Sequence, residues 1–244
     1  MRVVSPYRAL TTESPSHRKL GAFDWVEALA LLRASVDRTC HCETVGLTDL
    51  TTELPDPVYR FPARHDRLMC WILEVSLAYL ESPLFDQDTV FVSPDSIILR
   101  DLRAGFSGDL TVLVRSAARY RLRPILNSVQ WWPLHGRSRL IPFYRRALAI
   151  AEGLNENLQR WGADSESLRQ LLFPISPGLQ HRAGLRVSLC EFSPVFISLS
   201  GTMMRALEEH KPLPLPPWAK ILDFKGPRRK PYMAACGRSL GLTS

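Results

Sequence analysis

The sequence has no uninterrupted hydrophobic run long enough to cross a bilayer. Its longest apolar-rich stretch, residues 68–80, is broken by Glu74 and falls well short of the ~20 residues a membrane helix needs. The N-terminal residues show no apolar secretion segment, so the expectation is a soluble, cytoplasmic protein with no transmembrane segment. Paired cysteine spacing is also missing. The five cysteines, at 40, 42, 70, 190 and 236, specify neither a disulfide framework nor a zinc ribbon, and Cys40-His41-Cys42 has no second ligand pair downstream. No Gly-x-Ser-x-Gly elbow and no His-Glu-x-x-His pair appears, which argues against common hydrolases. There is no internal repeat and no composition break that reads as a linker.

What is present is ordinary globular material. Of 244 residues, 45% are hydrophobic and 23% charged, which excludes a disordered or collagen-like chain and is enough for one large core, so residues 1–244 read as a single domain. The net charge of +7 favours an anionic partner: a nucleotide, a nucleic acid or a membrane surface.

Hydrophobic periodicity places the elements. Val4 and its neighbours form a first strand, and Asp24 with Glu27 has capping-box spacing before a helix whose stripe is Val26, Leu29, Leu32 and Val36. Strands are expected at 44–48 and 58–62, then a helix from Leu68 that is apolar nearly all round and stops at Ser82-Pro83. Further strands are expected at 89–92, 97–99, 110–114 and 124–129, followed by a helix over 142–157, a short helix capped by Asp164, late strands at 186–192 and 195–199, and a last strand at Ile221-Leu222. The proline-rich residues 212–217 read as an extended connector. Alternating helices and short apolar strands imply an α/β fold with a mixed, mostly parallel central sheet flanked by helices, and ligands in such folds gather beyond the carboxyl ends of the strands.

The polar residues in those places form an ordered set. Val92-Ser93-Pro94-Asp95-Ser96-Ile97 resembles the strand, acidic turn and strand of glycosyltransferases with the GT-A fold, in which an Asp-x-Asp turn holds a metal on a sugar nucleotide; Ser93 takes the place of the first aspartate. Asn127-Ser128-Val129-Gln130 is similar to the Asn-containing strand of that superfamily, and Gly162-Ala163-Asp164 to its Gly-Ala-Asp-Gln segment. Residues 223–232, from Asp223 through Lys225, Gly226, Arg229 and Lys230 to Tyr232, resemble the His-x-x-Gly-x-x-Lys-Pro-Trp segment of glycogenin-like and lipopolysaccharide sugar transferases. Asp223 replaces the histidine, Tyr232 the tryptophan, and one residue is inserted before Lys230.

The resemblance implies a single GT-A type domain that transfers a sugar from a nucleoside diphosphate sugar, a UDP-sugar first, to an acceptor hydroxyl on a glycan, protein or small molecule, with retained anomeric configuration. It implies Mn²⁺ or Mg²⁺ on Asp95 and Asp223, the diphosphate against Lys225, Gly226, Arg229 and Lys230, the nucleoside near Tyr7, Arg8 and Asp49, and the sugar near Asp164, Asn127 and Gln130. The chemistry asks for such a set, because negative charge grows on the β-phosphate as the sugar leaves, and hard cations prefer oxygen ligands. Cationic side chains alone could do the same electrostatic task. Two rival readings come from the same residues: a catalytically degenerate nucleotide- or partner-binding protein, motivated by Ser93, and a nucleic-acid contact through Arg115, Arg119, Arg121 and Arg123 around Tyr120.

Overall fold

A computed structural model describes residues 1–9, 23–103, 106–114, 125–191, 195–226 and 228–242, leaving out the side chains of Trp161 and Glu191. The arginine cluster around Tyr120 lies outside the described residues. Strands β1 (Arg2–Pro6), β2 (Thr44–Thr48), β3 (Val58–Arg60), β4 (Thr89–Val92), β6 (Leu110–Val114), β7 (Ile125–Trp132), β8 (Gly178–Arg182) and β9 (Leu185–Glu191) form one sheet in the order β3-β2-β1-β4-β7-β6-β9-β8. The pairs β1–β2, β1–β4, β2–β3 and β6–β9 are parallel, whereas β7 runs antiparallel to both of its neighbours and β8 to β9. A second sheet of three short strands, β10 (Phe196–Ser198), β11 (Ile221–Asp223) and β5 (Ser96–Ile98), lies in that order.

Side-chain alternation along the strands divides the core into two faces. Val4, Phe91, Val112 and Val114 pack with helices α2 (Leu68–Glu81), α3 (Arg137–Glu152) and α5 (Ala163–Leu172). Val3, Val90, Val92 and Leu113 face the other way, onto Leu29, Leu32 and Val36 of α1 (Trp25–Cys40) and onto Phe196, Ile221 and Ile98 of the small sheet. The outer face of the small sheet, with Ile97 and Leu222, is closed by α6 (Gly201–Glu208) and α7 (Met233–Ser239). The short helix α4 (Glu156–Trp161) links α3 to α5. Among the described residues no helix is long and apolar enough to cross a membrane.

Most elements fall where the hydrophobic pattern puts them, and Asp24 does cap α1, its Oδ1 accepting from the N–H groups of Val26 and Glu27 at 2.9 Å. The departures have local causes. The helix expected over 142–157 runs over 137–152, with Pro142 in its interior, because a 3₁₀ turn at Leu134–Gly136 starts it early. β7 continues to Trp132, which is wholly buried, and Val26 is exposed instead of completing the stripe. β8, α4, α6 and α7 are additions. β8 is an edge strand with exposed and half-buried residues, so it lacks the apolar run that marks a strand. Residues 211–216 adopt no regular structure and lay Leu213 and Leu215 against the small-sheet core, as an extended connector does.

Candidate functional site

The site is built where the two sheets meet. β4 ends at Val92, and the N–H of Ser93 bonds the carbonyl of Ser128 on β7 at 2.8 Å, which turns the chain out of the large sheet. The chain then enters the small sheet as β5, whose antiparallel register sets Ser96 opposite Asp223 of β11. The N–H of Phe224 bonds the carbonyl of Asp95 at 2.9 Å, so the backbone itself carries Asp95 and Asp223 to one place from positions far apart in the sequence.

Both carboxylates are withdrawn from water, Asp95 being 5% and Asp223 2% exposed. Their environments split them. Burial would push Asp95 up, but the Lys230 ammonium on Oδ2 and the Ser93 hydroxyl, 2.5 Å from Oδ1, hold its carboxyl below the usual range. For Asp223, burial and then the Asp95 charge win, and its pKa is pushed up to about 7 against the pull of Lys225 and Lys230. Its Oδ1 is buried without a hydrogen-bond partner among the described residues, and so is the hydroxyl of Ser96 opposite. Buried polar atoms left open in this way are what a polar ligand would satisfy.

Lys230 opens a 3₁₀ turn, Lys230–Tyr232, and is 3% exposed. Gly226 makes the approach possible: its φ of +98° is open to glycine, and the N–H groups of Arg229 and Lys230 fold back onto its carbonyl at 3.2 and 3.4 Å. Besides Asp95, the ammonium meets two ring faces, 4.1 Å from the Trp25 centroid and 4.8 Å from that of Phe23, contacts worth about 0.5–2 kcal/mol each. Lys225 stays exposed beside the two carboxylates. Arg229 spends its Nε on the carbonyl of Leu199 at 2.9 Å and Nη1 on that of Lys225 at 3.2 Å, so it shapes the loop instead of facing a ligand.

A second cluster begins one residue from Ser128. Asn127 donates from Nδ2 to Asp164 Oδ2 at 2.7 Å and accepts at Oδ1 from Gln130, whose Oε1 in turn accepts from Tyr144 Oη and, at 3.2 Å, from Trp132 Nε1. Asp164 lies in the first turn of α5 without capping it; Gly162 holds the cap position with no side-chain bond, and the carboxylate points to Asn127. This corrects the expected cap. Gln130 braces Asn127 from behind: its Nε2 donates to Asn127 Oδ1 and its Oε1 accepts from Trp132 and Tyr144.

Tyr7, Arg8 and Asp49 gather beyond the carboxyl ends of β1 and β2. Asp49 is buried and turned inward: Oδ1 accepts from Thr51 N–H, Thr51 Oγ1 and Thr52 N–H at 3.0, 3.1 and 2.7 Å, and Oδ2 pairs with Arg8 Nε at 2.8 Å. Burial opposes its charge, but those donors hold its carboxyl below the usual range. It therefore pins the loop and Arg8, with its Oδ1 already accepting three hydrogen bonds. Arg8 reaches on to the carbonyl of His65 and the Trp71 ring. The Tyr7 ring lies 6.5 Å from Trp25, which links this group to Lys230.

No described protein family matches the sequence, and no curated protein is detectably similar to it. Solved structures do match. A glycosyltransferase involved in the glycosylation of the major capsid of PBCV-1 superposes with a TM-score of 0.52 at 10% identity, over 96% of this chain and 98% of its own. The fold is that of a GT-A type glycosyltransferase. The WbbM bifunctional glycosyltransferase in its apo form (TM-score 0.54, 8% identity, 92% of this chain) and the glycosyltransferase GlyE of Streptococcus pneumoniae TIGR4 (0.54, 12%, 93%) match as well. This chain spans 45% and 55% of the length of those two.

In this GT-A type fold a divalent ion is expected at the acidic turn, and the side chains present do not fit one as they stand. Asp95 has a hydroxyl on one oxygen and an ammonium on the other, and among the described residues no third His, Cys, Asp or Glu joins the two carboxylates. Asp223 Oδ1 is open among the described residues. Among the described residues Cys40 and Cys42 gather no third such residue either. The residues that sequence reasoning missed are Phe23, Trp25 and Tyr144. Nothing local in the sequence announces that the two rings serve Lys230 near the other end of the chain, or that the Tyr144 hydroxyl serves Gln130 on the neighbouring strand.

Proposed function

We propose that the protein transfers a sugar, a hexose, from a nucleoside diphosphate donor to an acceptor hydroxyl on a glycan, a protein or a small molecule. The observation that carries this is the meeting of Asp95, Asp223 and Lys230 at the edge of β4, with the Asn127–Asp164 pair one strand away on the same edge. One group provides charge for a diphosphate and the other provides fixed hydrogen bonds for a sugar.

In this reading the nucleoside lies toward Tyr7 and Arg8, and the diphosphate toward Lys225, Lys230 and the backbone at Gly226. Asp164, oriented by Asn127, engages a sugar hydroxyl. The bond from the anomeric carbon to the β-phosphate oxygen breaks, a bond to the acceptor oxygen forms, and the acceptor proton is released. Negative charge grows on the departing phosphate, so preorganised cations facing it lower the barrier. Retention of configuration follows from the likeness to glycogenin-like enzymes only, and uridine diphosphate sugars are the first donors to test.

Ser93 and the closed Asp95–Lys230 pair favour one rival reading, a protein of this fold that binds nucleotide without turnover. Release of nucleoside diphosphate from a panel of sugar donors separates the two. Turnover is expected, and Asp164→Ala should lower kcat by about 10²-fold with little change in donor KM, since it removes a contact made to the reacting sugar. Donor binding without release of product across the panel would select the rival.

A further inference from the structure

We propose that Lys230 is the resident cation of this site and that a nucleoside diphosphate binds there without a divalent metal. The inference rests on the nucleotide-sugar reading above and specifies how that site neutralises its ligand.

Lys230 is placed and held as a bound ion would be. It is 3% exposed, sits on a carboxylate of the turn after β4, and is boxed by the faces of Trp25 and Phe23 at 4.1 and 4.8 Å. A long, flexible side chain on the surface would lose much freedom on meeting a phosphate; this one has already been fixed by folding. An ammonium has three N–H donors, and the Asp95 contact uses one of them.

The turn is adapted to an ammonium. Ser93 is a hydroxyl where the resemblance leads one to expect a carboxylate, and it donates to Asp95 Oδ1, so the turn has one negative charge and one neutral donor. That single charge is balanced by the single charge of Lys230. A divalent ion on Asp95 would have to expel the ammonium from its aromatic box or share the carboxylate with it at contact distance, against strong like-charge repulsion. Lys225, exposed beside the same carboxylates, gives a second positive charge on the open side. Together the two lysines match the charge that a divalent ion would bring.

Calorimetric titration of the whole chain with uridine and guanosine diphosphates, in EDTA and in Mn²⁺, tests this. The expected result is binding whose affinity differs by less than about threefold between the two buffers and falls by about tenfold or more in Lys230→Met. Affinity that is present in Mn²⁺ and lost in EDTA overturns the inference and leaves the nucleotide-sugar reading standing. Failure of both diphosphates in both buffers removes that reading and the inference with it. Because Lys230→Met strands a buried carboxylate and can misfold, a second measurement keeps Lys230 in place: with the wild type, the electron paramagnetic resonance signal of equimolar Mn²⁺ should stay that of the free ion. Loss of that signal, restored by Asp95→Asn, would place a metal on the turn and sink the proposal.

Discussion

Asp95 and Lys230 are worth more to each other than to the fold. Removing two charges from water is costly, and a buried pair returns that cost only while both partners are present. Asp95→Asn should therefore destabilise the protein by about 3–5 kcal/mol, since it leaves an ammonium buried against aromatic rings. The double change Asp95→Asn with Lys230→Met should lose less than the single one. Urea unfolding midpoints of the three proteins measure the coupling; equal losses would mean that the pair is not energetically linked. At this scale the sequence was legible where a carboxylate follows an apolar strand, as at Asp95, or ends one, as at Asp223. It was not legible where a partner decides the role. Nothing in the sequence shows that Thr51, Thr52 and Arg8 occupy the oxygens of Asp49, or that the Tyr144 hydroxyl meets Gln130.

Elements are fixed by a few staples. Asp109, just before β6, receives the Arg186 N–H of β9 at 2.8 Å and both oxygens meet Arg139 of α3 at 2.9 and 2.8 Å, so one carboxylate ties a helix to two strands. Burial works against its charge, but the Arg186 N–H and Arg139 outweigh it and hold the carboxyl below its ordinary 3.8. A folded-state pKa below the unfolded one stabilises the protein at pH values above the unfolded value and is lost as the pH falls through the folded one. Asp109→Asn should thus cost about 1–2 kcal/mol at pH 7, and the gap to wild type should shrink below pH 4. Denaturation midpoints across pH 3–7 check this, and a gap independent of pH would count against it. The preceding Gly108 has φ +81°, and a Cβ there would lie 2.4 Å from the Arg186 carbonyl oxygen. Gly108→Ala should cost about 2 kcal/mol or more, read by the same midpoints. The same scale explains where the hydrophobic pattern misled. Pro142 looked like a helix start because proline is favoured in a first turn, yet the helix begins at Arg137. β8 was invisible because an edge strand needs no apolar face.

Across the whole molecule, the parallel strands β1, β2 and β4 end on one edge, and the small sheet brings the C-terminal segment back to it. That edge was foreseeable, because alternating helices and apolar strands imply such a sheet and ligands gather at its carboxyl ends. The way the second sheet closes over α1 was not, because three-residue strands have too little pattern to show their partners. A net charge of +7 suits an anionic ligand but does not locate it. Location is the central claim, and a crystal structure with uridine diphosphate bound tests it most directly. The account predicts phosphate oxygens within about 3 Å of the Lys230 ammonium and the nucleoside extending toward Tyr7 and Arg8. A nucleotide bound at any other edge of the sheet, with Lys230 untouched, would contradict it.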